Sequence, residues 1–223
     1  MADSQKTGSN LKHDALLLAL LYAPVFLNDF GFMASETEGQ FLAVDYVSKV
    51  LVILIVLSIP RFRGYIRPYL GWPGRPYEDA SMTWLRVVML SWLAVLFMMG
   101  IAYYWEWPME RHMADISVYR FPKIDTAWLN WTDLTFGLAL NAIAEEFASR
   151  GVLKGVLERY VKSAFIIILV SSVVFALTHW GKGLPNITGA FLCGIVLMGL
   201  FLYTRSLWPP MIAHYFINLW HFS

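Results

Sequence analysis

Long apolar runs, each close to the length that spans a bilayer, dominate the sequence. A spanning helix needs about 20 mostly apolar residues at roughly 1.5 Å of rise each. The runs that meet or approach this requirement are residues 14–33, 43–60, 82–105, 132–153, 163–181, 185–204 and 208–222. They predict an all-α fold: a polytopic transmembrane helix bundle of about seven spans (six to eight), with residues 1–223 forming a single integral membrane domain.

The composition supports a membrane location and excludes several other classes of protein. Hydrophobic residues make up 58% of the chain and charged residues only 15%, whereas soluble domains have about 45–50% and about 25%. The formal net charge of +1 provides no basic stripe for phosphates, so nucleic acid is not an expected partner. The single cysteine, Cys193, excludes an intramolecular disulfide framework. The expected partners are the lipid bilayer and membrane-associated polypeptides, and the oligomeric state is left open.

The distribution of basic residues predicts the orientation of the bundle. If the chain is threaded through seven spans, one side receives the larger share of Lys and Arg: Arg61, Arg63, Arg67, Arg75, Lys154, Arg159, Lys162 and Arg205. The positive-inside rule assigns that side, together with the N-terminus, to the cytoplasm. The expected location is the cytoplasmic membrane of a bacterium or archaeon.

The fourth run contains charged residues that are costly inside a bilayer, at about 2.5–3.5 kcal/mol each on insertion scales. Helical spacing places Asn141, Glu145 and Ser149 on one face, and it places Arg150 one turn after Glu146. Glu146 and Arg150 are therefore predicted to form an ion pair. Glu145 has no such partner on its own helix, and it is predicted to act as a general base toward water. A polar network that only joins helices is the alternative.

The fifth and last runs carry further hydrogen-bonding side chains. His179 lies near the end of the fifth run, where a lone histidine is often only interfacial. His214 and Asn218 are four residues apart and project from one helix face, so both can donate to an oxyanion. Hydrogen bonding between helices is the alternative for this pair. Asp45 and Lys49 are also four apart, and we interpret them as an interfacial couple.

Three short motifs occur in order on three predicted spans. They are Glu-Glu-x-x-x-Arg at 145–150, Phe-x-x-x-His at 175–179 and His-x-x-x-Asn at 214–218. In these motifs the chain resembles the CPBP family of CAAX proteases and bacteriocin-processing enzymes, which are glutamic-type intramembrane proteases. The resemblance covers roughly residues 132–222, which we predict to be the catalytic core. One departure is Ser149, which stands where the family leads us to expect an aromatic residue.

The resemblance implies a role for each motif residue. It implies that Glu145 activates water with help from His179, and that His214 and Asn218 stabilise the tetrahedral oxyanion. It also implies that Glu146 with Arg150 holds the shape of the site. Phe175 belongs to the second motif, and Asn141 lies on the face of Glu145, so both are predicted to shape the site.

The predicted function is an intramembrane endopeptidase that hydrolyses a peptide bond of a membrane-associated protein or peptide. The substrate is either a CAAX-type tail or the tail of an exported protein, and convergence of the site in the outer half of the bilayer would favour the second. No cofactor is expected. One alternative is a zinc peptidase whose ligands are Glu145, His179 and His214, since carboxylate and imidazole are accepted zinc ligands. Another is a catalytically silent membrane chaperone or immunity protein.

Overall fold

Helices make up most of the chain in the computed structural model, which describes residues 2–71, 84–113 and 124–223, with side chains from residue 10 onward. No strand occurs within these ranges, so the all-α prediction is confirmed. The α-helices are α1 (Ala2–Met33), α2 (Glu38–Ser58), α3 (Pro60–Ile66), α4 (Trp84–Ile101), α5 (Trp107–Met113), α6 (Ala127–Thr132), α7 (Leu138–Glu146), α8 (Lys154–Leu157), α9 (Ala164–Leu177), α10 (Leu184–Thr204) and α11 (Trp208–Phe222).

Several α-helices are joined by other helical turns. π-helical segments occur at Ala102–Glu106, Asp133–Gly137 and Phe147–Leu153, so the chain is helical without a break from Ala127 to Leu157. Short 3₁₀ turns occur at Arg67–Tyr69 and Trp180–Lys182. π-helical segments are rare and are frequently found at functional sites.

Four helical stretches in the described ranges are long and apolar enough to cross a membrane, judged by length and composition. They are Asn10–Met33, Glu38–Ser58, Trp84–Met113 and Leu184–Thr204, and Ala164–Leu177 is a shorter apolar helix. Large apolar side chains such as Leu16, Leu93, Phe97 and Phe165 are exposed on the outer surface, where lipid would cover them. The chain is therefore an integral membrane protein, and the count of about seven spans and the orientation stay predictions.

Helices α1 and α2 form a closely packed antiparallel pair. The turn between them ends in a capping box, in which the Thr37 hydroxyl accepts from the Gln40 amide and the Gln40 side chain accepts from the Thr37 amide. Gly31 allows the close approach, because a Cβ there would lie 2.7 Å from a methyl carbon of Val44. Asn28 donates to the Ser48 hydroxyl at 3.3 Å across the same interface. This pairing fixes the face that α2 turns toward α7.

The N-terminal half of α1 is held by a buried carboxylate. Asp14 is 1% exposed and lies 2.6 Å from the Arg61 guanidinium of α3. It also accepts from the Tyr160 hydroxyl at 2.7 Å and pairs with Arg159, both in the turn after α8. Three separate parts of the chain thus meet at one charged group, which fixes α1 relative to the α7–α8 helical run.

The sequence predicts two connections between apolar runs: residues 61–79, rich in Gly, Pro and Arg, and residues 106–132, polar and aromatic with room for an interfacial helix. Both contain helix. The predicted loop over residues 61–79 begins with most of α3, and its residues 72–79 lie outside the described ranges. The predicted loop over residues 106–132 begins within the Trp84–Met113 helix and ends in α6, while residues 114–123 lie outside the described ranges. Glu106, placed in a loop by the sequence pattern, is therefore a helical residue.

Candidate active site

A cavity of about 1340 Å³ lies among α1, α2, α4–α7 and α9–α11. Six of the predicted site residues contribute to its walls: Asn141, Glu145, Phe175, His179, His214 and Asn218. The fold therefore gathers around one cavity side chains that are up to 77 positions apart (218 minus 141). Their chemical roles stay predictions. The other two predicted residues, Glu146 and Arg150, are buried directly behind this wall.

The cavity occupies one end of the bundle. Its wall includes Phe32 near the end of α1, Phe41 near the start of α2 and Pro185 at the start of α10. The connections from α1 to α2 and from α9 to α10 are therefore at the cavity end, whereas Asp14 and its partners hold the other end. If the N-terminus is cytoplasmic, as predicted, this is the outer half of the bundle.

Glu145 ends the cavity-facing part of α7 and has two unlike carboxylate oxygens. Its Oε1 accepts from the Lys49 ammonium at 3.2 Å. Its Oε2 lies 3.7 Å from Nε2 of His214 and has no hydrogen-bond partner among the residues that the structure describes. The absence of a cation on its own helix also predicted that this carboxylate lacks any cationic neighbour, and that prediction is wrong. It considered only the helix of Glu145, and the cation comes from α2, 96 positions earlier.

Glu146 faces away from the cavity and is fully buried. Its Oε1 lies 3.0 Å from the Arg150 Nη1, so the predicted ion pair is confirmed. The same oxygen contacts the His214 Nδ1 at 2.8 Å. The Arg150 guanidinium in turn contacts two other helices. Its central carbon lies 4.5 Å from the centre of the Phe175 ring, and Nη2 of Arg150 donates to the Gly194 carbonyl at 3.4 Å. Glu146 thus links the helices α7, α9, α10 and α11 through its partners.

His214 stands between the two glutamates, with each ring nitrogen facing one of them. A carboxylate only accepts hydrogen bonds, so the His214 Nδ1–H donates a hydrogen bond to Oε1 of Glu146. This leaves Nε2 on the side of Glu145 and the cavity. The buried glutamate thereby fixes the orientation of the imidazole, and that orientation decides which nitrogen a substrate can reach.

His179 follows the C-terminal end of α9. Its Nδ1 lies 3.0 Å from the Phe175 carbonyl oxygen and 3.1 Å from the Thr178 hydroxyl. Since a carbonyl only accepts, the His179 Nδ1 donates to it, and Nε2 is left as the acceptor nitrogen. The Phe175 ring centre is 5.1 Å from that of His179 and 5.8 Å from that of His214. Phe175 thus contacts both imidazoles and sets their spacing.

Ser149 does not share the face of Asn141 and Glu145, as helical spacing had predicted. It does not line the cavity, and its hydroxyl lies 3.1 Å from the Tyr22 hydroxyl of α1. The reason is the π-helix that begins at Phe147, because its wider turn changes the direction of the following side chains. The hydroxyl of an aromatic residue on α1 thus contacts the position where the family pattern would have an aromatic residue.

The sequence pattern missed several charged residues of the cavity wall. Asp45 and Lys49 pair at 3.8 Å, as predicted, and both also line the cavity, which the sequence pattern did not indicate. Glu106 ends a π-helical segment and accepts from the Asn186 amide at 2.8 Å. Gly189 leaves room for this carboxylate, since a Cβ there would lie 2.6 Å from its oxygen. The signal was present: charges within an apolar run are costly and call for a partner.

The donor set bears on the zinc alternative. In the part of the chain that the structure describes, no three His, Cys, Asp or Glu side chains are arranged as a group that could hold a metal ion. Glu145, His179 and His214 share the cavity wall, so the three ligands of the zinc alternative lie around one space.

A comparison with protein families gives an independent result. A family model described as type II CAAX prenyl endopeptidase, Rce1-like, matches residues 127–220. No curated protein and no solved structure gave a match. The matched stretch runs from the start of α6 almost to the end of α11 and contains all three motifs. The resemblance to CAAX proteases predicted from the motifs is confirmed: over residues 127–220 the chain is similar to the Rce1-like family.

Proposed function

We propose that the protein is a metal-independent intramembrane endopeptidase, in which Glu145 activates a water molecule that hydrolyses a peptide bond. The observation that carries the proposal is the free Oε2 of Glu145. This oxygen is buried, has no hydrogen-bond partner among the described residues, and belongs to a side chain on the cavity wall. A buried acceptor of this kind is costly unless a ligand or water uses it.

The proposed reaction has two steps at this oxygen. Water loses a proton to Oε2 of Glu145 as its oxygen bonds to the scissile carbonyl carbon, and the carbonyl oxygen becomes an oxyanion. The C–N bond then breaks, and the proton passes from Glu145 to the leaving nitrogen. His179 supports the first step, because its Nδ1 is held by the Phe175 carbonyl and its Nε2 remains free to accept from the water.

The oxyanion needs donors on the cavity wall. Asn218 lies one helical turn after His214 on α11, and both line the cavity. The amide of Asn218 always carries donor protons, whereas His214 donates from Nε2 only when that nitrogen is protonated, since Nδ1 is directed to Glu146. Asn218 is therefore the donor that works in every protonation state of the site, and His214 is the second donor.

The proposed substrate is the tail of a membrane-associated polypeptide. A cavity of about 1340 Å³ exceeds the roughly 300–1,000 Å³ typical of small-molecule pockets, so it can hold several residues of an extended peptide. The family description supports a CAAX-type tail. The position of the cavity at the end predicted to be extracytoplasmic favours the tail of an exported protein. The two substrate classes differ in the prenyl group and in the membrane face from which they enter.

The test uses purified protein in liposomes with two matched C-terminal tail peptides, one prenylated and one not. We expect cleavage of at least one peptide, with unchanged activity in the presence of chelators. Glu145→Gln should lower kcat by about 100- to 10,000-fold, the typical contribution of a general base. Its unfolding temperature should stay close to that of the wild type, because Lys49 keeps Asp45 as a partner.

Other outcomes would replace the proposal. Full activity of Glu145→Gln would contradict it. Stoichiometric zinc in the purified protein, with loss of activity on chelation, would favour the zinc peptidase. A wild-type protein that cleaves neither peptide, and whose Glu145→Gln variant differs only in stability, would favour the silent chaperone or immunity protein.

A further inference from the structure

We infer that Lys49 is a positioning residue of this site, which holds one oxygen of Glu145 so that the other oxygen serves as the base. The inference rests on the proposed function and extends it to a helix outside the family match. Lys49 is on α2, whereas the matched residues begin at position 127. The role concerns the orientation and charge of Glu145 and requires no contact between Lys49 and the substrate.

The contact itself is short and enclosed. The Lys49 ammonium lies 3.2 Å from Oε1 of Glu145, and the two residues are 4% and 7% exposed. The helices that carry them, α2 and α7, pack directly against each other. In a low-dielectric environment an ion pair is much stronger than at a protein surface, so this contact restricts the rotation of the carboxylate.

The restriction makes the two oxygens unequal. Oε1 is occupied by Lys49, and Oε2 lies toward Nε2 of His214 at 3.7 Å without a hydrogen bond to any described residue. General-base catalysis depends strongly on the direction from which the base approaches the water. A carboxylate held at one oxygen presents the second oxygen in a fixed direction, which a freely rotating carboxylate would not.

The charge of Lys49 has a second consequence. A buried carboxylate without a cation takes up a proton and can no longer accept one from water. The ammonium keeps Glu145 ionised before the reaction. Asp45 lies 3.8 Å from the same ammonium, so Lys49 retains a counterion when Glu145 becomes neutral by accepting the proton. Because the Lys49 ammonium lies between Asp45 and Glu145, the charge of Glu145 can change without leaving the buried lysine without a counterion.

Direct binding of a substrate carboxylate is the main competing role for a lysine in this cavity. The observed contacts argue against it, since the Lys49 ammonium already faces two carboxylates. The two roles differ in kinetics. Loss of a positioning residue lowers kcat, whereas loss of a substrate-binding group raises KM with little change in kcat.

The experiment measures kcat, KM and the unfolding temperature of Lys49→Met and Lys49→Arg with the cleaved tail peptide. We expect Lys49→Met to lower kcat by about 10- to 100-fold with KM changed by less than about twofold. Lys49→Arg keeps the charge and should recover most of the loss. The matched control is Lys154→Met. Lys154 is also 4% exposed and pairs with Glu158 at 3.0 Å, but it does not line the cavity. Its kcat per folded molecule should match the wild type.

Stability and function are separated by two further measurements. If Lys49→Met fails to fold, the double variant Lys49→Met, Asp45→Asn is assayed in its place. This double variant removes one charge of each sign. Wild-type kcat in the folded lysine variant, or a rise of KM alone, would overturn the inference. Glu145→Gln is measured in parallel. If it is inactive while Lys49→Met retains full activity, the inference alone fails, whereas an active Glu145→Gln refutes the proposed function.

Discussion

Glu145 and Glu146 are neighbours in the sequence, yet they belong to two different regions of the molecule. Each has one carboxylate oxygen without a hydrogen-bond partner among the described residues, but only Glu145 is on the cavity wall. Glu146 lies in the packed interior behind that wall, with Arg150 at 3.0 Å and His214 at 2.8 Å. Under the proposed function, Glu145 serves the chemistry and Glu146 the architecture, and the two differ in their partners and in their access to the cavity.

His214 connects the two regions. Its Nδ1 is bound by the interior glutamate, and its Nε2 faces the glutamate of the wall. Glu146, in the interior, therefore orients the His214 imidazole, whose Nε2 lies on the cavity wall beside Glu145. If this division is correct, substitutions behind the wall should mainly change stability, and substitutions on the wall should mainly change turnover. The following variants test that division beyond Glu145 and Lys49.

Arg150→Met should have the largest effect on stability. Arg150 is 1% exposed, and its removal leaves the Glu146 charge buried with only an imidazole beside it. We expect the free energy of unfolding to fall by about 3–5 kcal/mol, as for other buried pairs that lose one partner. Chemical unfolding in detergent micelles measures this change. The control is Arg67→Met, an exposed arginine, for which we expect a change within about 0.5 kcal/mol. Equal stability of the two variants would contradict the structural role.

Asn218→Ala should have the next largest effect, and the quantity affected should be turnover, not stability. We expect kcat to fall by about 100- to 1,000-fold, the usual result of removing one oxyanion donor, with little change in the unfolding temperature. Asn130→Ala is the matched control, because Asn130 also lines the cavity but lies outside the three motifs. Equal losses of kcat in both variants would show that the wall lacks the proposed division of roles.

Tyr22→Phe should have the smallest effect. The change removes a hydroxyl that lies 3.1 Å from the Ser149 hydroxyl in the interior region. We expect a loss of about 0.5–1.5 kcal/mol in the free energy of unfolding, typical of one buried hydrogen bond, and no change in kcat. Combining it with Ser149→Ala should cost less than the sum of the two single changes. A selective loss of kcat would place this pair among the functional residues.

The candidate site could be predicted from the sequence where its signals are local. The spacing of Glu146 and Arg150 on one helix is enough to predict their ion pair, which the structure contains. His214 and Asn218 are one turn apart, and both line the cavity as their shared face predicts. Apolar runs likewise predicted the positions of most helices, because the length needed to cross lipid is a property of each segment alone.

The partners contributed by distant helices could not be predicted in this way. Asp45 lies four residues before Lys49 and accounts for its charge locally. The spacing therefore gave no reason to expect the second contact of Lys49, with Glu145, 96 positions away. The π-helix from Phe147 to Leu153 changes the register of the side chains that follow Glu146, and no rule of regular helical spacing includes it. Ser149 was therefore assigned to the wrong face, and Tyr22 was not considered.

The most direct test of the division between wall and interior measures turnover per folded molecule and unfolding free energy for Glu145→Gln and Arg150→Met side by side. The account predicts that Glu145→Gln is as well folded as the wild type but has lost its turnover. Arg150→Met should be destabilised while its folded fraction keeps far more turnover than Glu145→Gln. The reverse pattern, with an unstable but active Glu145→Gln variant, would contradict the assignment of Glu145 as the base.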